Sequence, residues 1–443
     1  MGDSIVGNAS LVPTQVAQHV DPRLVAMFVQ PESLVGVRST YTHFAEPIQP
    51  PREKDEEFVF DIHHTGTSYI DLQNAKLYVR GRLKRRDGRD LAEEEQVVLT
   101  NNFLHSLFSS VTLFIGQNQA EIHTDNHAYK AYIKQLMRNK VFNPNLRNDG
   151  MDFEFRSNAF ANDYMVANSR FPWTLESRPV EFLGPTLIDF FDTEGYLLPA
   201  CPLRIKYRKS RDAFYVVTHP DQKDLEYNFV VDSIGLHIPC LNILPNLTPL
   251  LESQTDEAPA RYEFEGLDMR EFPVPAGTIT RKFAKVFENR LPKKILIGFY
   301  GQEAFFGVRD IAPLLTDPDL NMRKISLSVN GIGVRELEVN YDADLYAEAY
   351  RHFTDWMEST GKDYAVHYGL FKSGYKYYAF DLLENCPPSS LCAEDTIQTG
   401  YIDVEVQFAE STPKHAVMCV FFESPQTVEI TKERAARHIR TIV

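Results

Sequence analysis

Two stretches of the chain share the same order of hydrophobic and polar positions. In the later stretch, Ile325, Leu327 and Val329 alternate with polar residues, which places the apolar side chains on one face of a β-strand. Asn330-Gly331 tolerates the positive φ angles of a tight turn, and a second alternating segment follows it. The pattern therefore predicts a β-hairpin.

A helix is predicted directly after this hairpin. Asp342 is its expected N-cap, because a short side chain with an acceptor oxygen suits that position. The apolar stripe at helical spacing consists of Leu345, Tyr346, Ala349, Tyr350, Phe353 and Trp356. Hairpin and helix together form one supersecondary unit with a single buried side.

The same unit occurs about two hundred residues earlier. Predicted strands at 111–115 and 120–123 flank the turn Gly116-Gln117-Asn118, and a helical run begins near Asn126. The stripe of that helix consists of Tyr129, Tyr132, Ile133, Leu136 and Met137. The match lies in the order of elements, because no gapless alignment extends beyond a few residues. We predict two copies of one fold; two unrelated β domains are the alternative.

The predicted fold is all-β with a few short helices. Each half contains about eight short strand candidates, which favours two tandem β-sandwich domains over a propeller with its shorter regular repeat. The predicted divisions are an extended N-terminal arm at 1–52, a first sandwich at 53–240, a linker with a short helix starting at Thr248-Pro249 within 241–260, a second sandwich at 261–430, and a C-terminal tail at 431–443.

Several local expectations accompany this organisation. Residues 142–194 follow no period and are expected to form a long surface excursion that carries subunit contacts. The N-terminal arm is expected to bind a neighbouring protein surface. Residues 101–109 predict a short helix under the first hairpin, and 212–217 predict a strand.

The composition indicates a globular protein whose main surface does not bind nucleic acid. A length of 443 residues exceeds what one core usually serves, and the net charge is -15. Three basic clusters are exceptions to this net negative charge. They are best explained as solvated strand ends and a tail, which leaves at most a weak contact with nucleic acid. They are Arg80, Arg82, Lys84, Arg85, Arg86 and Arg89; Arg204, Lys206, Arg208, Lys209 and Arg211; and Lys432, Arg434, Arg437 and Arg440.

The cysteines do not form a disulfide or zinc framework. Their number is odd and their spacing irregular: Cys201, Cys240, Cys386, Cys392 and Cys419. No second close pair of Cys or His completes a zinc site with Cys386 and Cys392. Free thiols in a reducing compartment are expected. The sequence shows no signal peptide and no apolar run of membrane-spanning length, so we expect a protein that is not secreted and has no membrane-spanning segment.

No catalytic, cofactor-binding or metal-binding residues are predicted. His63-His64 lacks further ligands at a suitable spacing, and Asn330-Gly331-Ile332-Gly333 lacks the third glycine of a dinucleotide loop. Asp317-Pro318-Asp319 begins like a calcium loop without its glycine and closing glutamate. We expect no enzyme activity. The paired acids of a glycosidase remain open, since the fold sets their separation.

Several segments, in a constant order between residues 55 and 431, resemble the major capsid proteins of Polinton/Maverick elements and adintovirus-like viruses. In the first half these are Tyr69-Ile70-Asp71-Leu72, Asn102-Phe103-Leu104-His105-Ser106-Leu107-Phe108 and Ala131-Tyr132-Ile133. Later ones are Asp212-Ala213-Phe214, Glu303-Ala304-Phe305-Phe306-Gly307, Ala349-Tyr350 and Tyr378-Ala379-Phe380-Asp381-Leu382. Thr431-Lys432 departs from the acidic strand end of that family, and the first fifty residues and 386–395 match no part of it.

This resemblance implies a double jelly roll, with three chains forming a pseudo-hexagonal capsomer and capsomers tiling an icosahedral shell. The implied partners are other copies of the chain and minor or penton capsid proteins. The implied location is the virion, after synthesis in the host cytoplasm and with the nucleus as a candidate place of assembly. Three alternatives stay open: a carbohydrate-active or lectin-like β-sandwich protein, a minor or vertex capsid protein, and a domesticated host copy of the gene.

Overall fold

The computed structural model describes residues 36–62, 67–138, 146–151, 172–219, 221, 225–308, 311–357, 366–382 and 399–440. Strands predominate in both halves. The elements of the first half are β1 (Val37–Ala45), β2 (Glu57–Ile62), β3 (Tyr69–Ile70), β4 (Lys76–Arg85), β5 (Val97–Leu99), α1 (Phe103–Ser106), β6 (Phe108–Ile115), β7 (Ala120–Thr124), α2 (His127–Arg138), β8 (Val180–Pro185), β9 (Leu203–Lys209), α3 (Asp212–Tyr215), β10 (Val216–Thr218) and β11 (Tyr227–Ile243).

The second half begins with a helix and ends with two strands that share a sheet. Its elements are α4 (Thr248–Glu257), β12 (Ala260–Val274), β13 (Thr280–Arg290), β14 (Lys294–Gly301), α5 (Gln302–Phe306), β15 (Met322–Val329), β16 (Ile332–Glu338), α6 (Ala347–Trp356), α7 (Tyr368–Phe371), β17 (Tyr377–Asp381), β18 (Thr399–Phe408), β19 (Ala416–Ile430) and β20 (Ala436–Arg440). Short 3₁₀ turns at Leu146–Asp149, Leu175–Ser177 and Asp189–Asp192 complete the first half.

Both halves are built on one sheet plan. The first half pairs its strands in the orders β1-β11-β4-β8 and β2-β9-β6-β7, and the second half in the orders β12-β19-β14-β17 and β13-β18-β15-β16. Counting eight main strands in chain order, each half therefore has sheets 1-8-3-6 and 2-7-4-5, antiparallel throughout. This arrangement is a jelly roll, two four-stranded sheets face to face. The prediction of two copies of one fold is confirmed.

A proline marks the same register position in both copies. Pro239 of β11 lies opposite Thr42, and Pro425 of β19 lies opposite Glu265. Before the proline each long strand pairs with the third strand of its sandwich, β4 or β14; after it, a short extra strand takes over that side, β3 or β20. Proline cannot donate to a sheet ladder, so it suits the place where one partner ends and the next begins.

Each sandwich has its own hydrophobic core between the sheets. In the first, Phe60, Leu77, Ile205 and Leu236 are fully buried. The second contains Ile295, Ile325, Val404 and Val420 in the same state. Each such side chain stabilises the fold by about 1.5–3 kcal/mol relative to an exposed one. The alternation that predicted these strands from the sequence therefore corresponds to real inner and outer faces.

The predicted N-terminal arm is partly a strand. Residues 37–45 form β1, which pairs along its whole length with β11, so the first sandwich begins at Val37 and not at 53. β1 is an edge strand that is exposed at most positions on both faces. The apolar alternation by which a strand is found in a sequence is therefore missing. Residues 1–35 lie outside the described residues.

Other corrections also concern exposed or short segments. Residues 436–440 of the predicted tail form β20 on the edge of β19. Within the predicted excursion, Val180–Pro185 is the edge strand β8 and Asp189–Asp192 is a buried turn, while 152–171 lie outside the described residues. Residues 212–215 form α3 instead of a strand, because their apolar run is too short to reveal its period.

The second hairpin helix also begins later than its sequence suggests. α6 starts at Ala347, so Asp342 is not its N-cap, and Leu345 is 65% exposed and lies outside the stripe. Of the remaining stripe positions, Tyr346, Ala349, Phe353 and Trp356 are buried as expected, and Tyr350 is partly buried. Asn330 and Gly331 both take positive φ angles, 52° and 79°, which confirms the predicted turn.

Candidate assembly surfaces

Helix α2 joins the two sandwiches. It follows the first hairpin in the chain, but its apolar side chains pack into the core of the second half. The hydroxyl of Tyr129 donates a hydrogen bond to the carbonyl of Pro313 at 3.0 Å, and its ring stacks on Phe305 with 4.9 Å between the centroids. A helix encoded in the first copy thus completes the core of the second, which fixes the two sandwiches to each other.

Two buried lysines of α2 add charge pairs to this junction. Lys130 Nζ lies 3.4 Å from Asp268, and Lys134 Nζ contacts Asp189 and lies 2.9 Å from Asp192. Burial alone would lower the pKa of Lys134, but the two carboxylates outweigh it and the net pKa is raised. The ammonium group therefore stays charged and bound to the 3₁₀ turn Asp189–Asp192.

The tip of the first hairpin is fixed to the C-terminal segment. The Gln117 N–H donates to the carbonyl of Arg434 at 2.8 Å, and the Asn118 side chain exchanges two hydrogen bonds with the backbone of Ala436, at 2.7 and 2.8 Å. Gly116 has φ 75°, and a Cβ there would lie 2.5 Å from the Arg434 carbonyl oxygen. Only glycine permits this close approach.

Burial favours the neutral forms of two other ionisable groups near α2, His127 and Asp149. Burial, followed by the charges of Lys134 and Lys130, lowers the pKa of His127 to about 3. His127 Nε2 lies 3.3 Å from His105 Nδ1 inside the core. Burial also raises the pKa of Asp149 to about 7, although the amide of Gln135 donates to it at 2.8 Å.

A broad cleft of about 860 Å³ lies beside β9 and is the place where paired catalytic acids would be sought. Its lining mixes acidic side chains with Arg86, Arg208 and Arg211. Asp55 accepts the N–H of Arg52 at 2.7 Å, and Asp212 accepts the hydroxyl of Tyr215. Both carboxylates are committed to local bonds. Among the described residues, no group of three or more His, Cys, Asp or Glu could hold a metal ion.

Many members of the three basic clusters are paired with carboxylates. The pairs include Arg82 with Asp232, Arg85 with Glu95, Arg86 with Glu226, Arg204 with Asp61, Lys206 with Glu57, Lys432 with Asp256, and Arg440 with Asp268. The Arg204 and Asp61 side chains form two parallel hydrogen bonds across β9 and β2, at 2.8 and 2.9 Å. These pairs leave less positive charge for phosphate than the sequence alone suggests.

The cysteines and the histidine pair noted in the sequence lie either in the core or outside the described residues. Cys201, Cys240 and Cys419 are buried thiols, while Cys386, Cys392 and His63-His64 lie outside the described residues. Among the described helices, none is long and apolar enough to cross a membrane. Sequence reasoning missed Gly116 and Lys134, whose roles depend on partners more than 50 residues away; the positive-φ turn at Gly116 was the one local signal.

Comparison with known proteins agrees with this architecture. No family model matches the chain. The uncharacterized protein F54H12.2 of Caenorhabditis elegans is 21% identical over 383 residues, which is 82% of this chain and 88% of that protein.

Solved structures match nearly the whole chain. A chain of the Sputnik virophage particle has a TM-score of 0.62 at 10% identity, covering 99% of this chain and 94% of its own. The Faustovirus major capsid protein matches with a TM-score of 0.55 at 8% identity, over 96% of this chain and 95% of its own. The mavirus major capsid protein matches with a TM-score of 0.52 at 11% identity, over 100% of this chain and 97% of its own. The fold is a double jelly roll. At such low sequence identity, the structural similarity establishes the fold of this chain and no further property.

Proposed function

We propose that this chain is a structural major capsid protein whose trimers form pseudo-hexagonal capsomers that tile an icosahedral shell. The observation that carries the proposal is the repeated sheet plan, 1-8-3-6 and 2-7-4-5 in both halves. Three such chains present six similar sandwiches, so one polypeptide can occupy a six-sided position in a shell. The contacts would be heterologous, with the second sandwich of one chain meeting the first sandwich of the next.

The comparisons support this proposal. The major capsid proteins of mavirus and Faustovirus share the double jelly roll over almost their full length. We assign the chain to the lineage of Polinton/Maverick elements and adintovirus-like viruses on the sequence blocks described above. The nematode relative agrees with a gene that resides in animal genomes, either within an active element or as a domesticated copy.

The proposed role requires surfaces that bind other protein chains, and it does not require an active site. The partners are other copies of the chain, minor or penton capsid proteins at the vertices, and at most weak contact with packaged DNA. The place of action is the virion, and the net charge of -15 keeps free capsomers soluble before assembly. The vertex position is disfavoured because two fused sandwiches imitate a sixfold environment, not a fivefold one.

Expression of the full-length chain in eukaryotic cells tests the proposal. Electron microscopy of the pelleted material should show closed shells or flat lattices with hexagonal packing of three-lobed or six-lobed units. A chain that never assembles, with or without candidate vertex proteins, would contradict it. The carbohydrate-binding alternative is tested in parallel on a glycan array, where binding abolished by substitution of cleft residues such as Glu53 and Glu56 would favour that function.

A further inference from the structure

Among the exposed apolar side chains of the described residues, some lie at the tip of the second hairpin and some in the linker. At the tip of the second hairpin, Ile332 is 72% exposed, the largest value among the exposed large hydrophobic side chains of the described residues. In the linker, Leu250 of α4 is 58% exposed and Leu251 is also exposed. α4 has ten residues and none of them is buried. An isolated helix of that length is marginal in water, so α4 is suited to stabilisation by a partner.

The repeat relates these two surfaces to a contact that the chain already makes. In the first sandwich, the β6–β7 tip binds the segment after β19, at Arg434 and Ala436. The β15–β16 tip with Ile332 is its counterpart in the second sandwich, because β15 and β16 occupy the same places in the sheet order as β6 and β7.

The target of that contact also has a counterpart. β11 and β19 are the eighth main strands of their sandwiches, and Pro239 and Pro425 mark the same place in them. The segment that follows β11 in the chain leads into α4, and the segment that follows β19 contains Arg434 and leads into β20. In chain order, the counterpart of the segment that the first tip binds is therefore the linker that leads into α4, where Leu250 is exposed.

We propose that the β15–β16 tip of one chain docks on the start of α4 in a second copy of the same chain. This contact would repeat between chains the one that the β6–β7 tip makes within a chain. The inference rests on the proposed function, since it assigns the surface by which three copies close into a ring. An exposed isoleucine and an exposed leucine that meet in this way are both removed from water.

The first test is a pair of charged variants in the full-length protein. Ile332→Asp and, separately, Leu250→Asp should each weaken self-association about tenfold or more in sedimentation equilibrium, because a carboxylate would be buried against an apolar partner. Far-ultraviolet circular dichroism of the separated monomers should match wild type, since both side chains are exposed and their replacement leaves the fold of each chain intact. Ile279→Asp, at a 54% exposed position in the β12–β13 turn, is the matched control and should leave the trimer intact.

Cross-linking gives a readout that does not depend on weakened binding. The double variant Ile332→Cys with Leu250→Cys should form intermolecular disulfides under mild oxidation, giving two-chain and three-chain species on a non-reducing gel. Either single variant and wild type should remain one-chain species. A wild-type trimer that persists in both Asp variants and does not cross-link would overturn this contact while leaving the proposed function standing. A wild-type monomer would overturn both.

Discussion

Gly116 shows how one residue can hold the two sandwiches in contact. Its φ of 75° turns the first hairpin, and its missing Cβ lets the Arg434 carbonyl approach. Gly88 also has a positive φ, 85°, but a Cβ there would meet nothing within 4 Å. Alanine substitutions at the two positions therefore distinguish the cost of backbone strain from the cost of a steric clash.

Gly116→Ala is expected to destabilise the protein more than Gly88→Ala. Both variants place a Cβ at positive φ, which costs on the order of 1 kcal/mol. Only Gly116→Ala adds a clash with backbone, so its loss in free energy of unfolding should exceed that of the control by about 1–2 kcal/mol. Urea denaturation followed by circular dichroism measures the difference; equal losses would contradict the assigned role of the tip.

Asp149 predicts a pH dependence of stability. Burial raises its pKa in the folded state to about 7, so between about pH 4 and pH 7 the folded chain holds a proton that the unfolded chain has released. The stability associated with this group is complete below its unfolded pKa and is lost as pH rises through the folded one.

The Asp149→Asn variant should remove that dependence. It keeps an acceptor for the Gln135 amide, so its stability relative to wild type should grow as pH rises, by at most about 1.4 kcal/mol per pH unit, and level off above pH 7. Denaturant midpoints at about pH 5 and pH 8 give the comparison. Asp90→Asn, at a carboxylate whose side chain is 66% exposed, serves as control. A constant difference across this range would refute the assignment.

At the scale of elements, the two hairpin helices show where repetition ends. Both follow the fourth and fifth strands of their sandwich, as the sequence indicated. α2 packs on α1 and β6 and reaches into the second core, whereas α6 packs on β14, β16 and β17 of its own sandwich. α2 carries two buried lysines with carboxylate partners; α6 carries an exposed Arg351–Asp355 pair.

Lys134→Met is expected to cost about 3–5 kcal/mol of stability, since it leaves Asp189 and Asp192 near a buried site without their cation. Arg351→Met removes an exposed pair of similar chemistry and should cost less than about 0.5 kcal/mol. Thermal unfolding of both variants provides the comparison. Similar losses would mean that the charge pairs of α2 do not hold the junction.

Which elements the sequence could predict depended on burial. β2, β6, β15 and β18 have one buried face, so apolar alternation located them. β1 and β20 are exposed edge strands, and β13 alternates only in part, so their patterns carried no comparable signal. The junction could not be predicted, because Gly116 and Lys134 find their partners through the fold and not through local spacing.

At the scale of the whole molecule, the repeated plan gives a single chain two similar sandwiches with different outer surfaces. The junction between the sandwiches buries α2 and joins the first hairpin tip to the C-terminal segment by hydrogen bonds. Elsewhere β1, α4 and the tip with Ile332 are exposed. An arrangement with one satisfied junction and the matching halves of a second is what a closed ring of chains requires.

Cryo-electron microscopy of the purified full-length protein tests this account most directly. Chains of 50.8 kDa should be found as particles of about 150 kDa with threefold symmetry and six similar lobes, in which intrachain and interchain junctions are related by a rotation of about 60°. Particles that remain monomeric at high concentration, or that associate with any symmetry other than threefold, would contradict it.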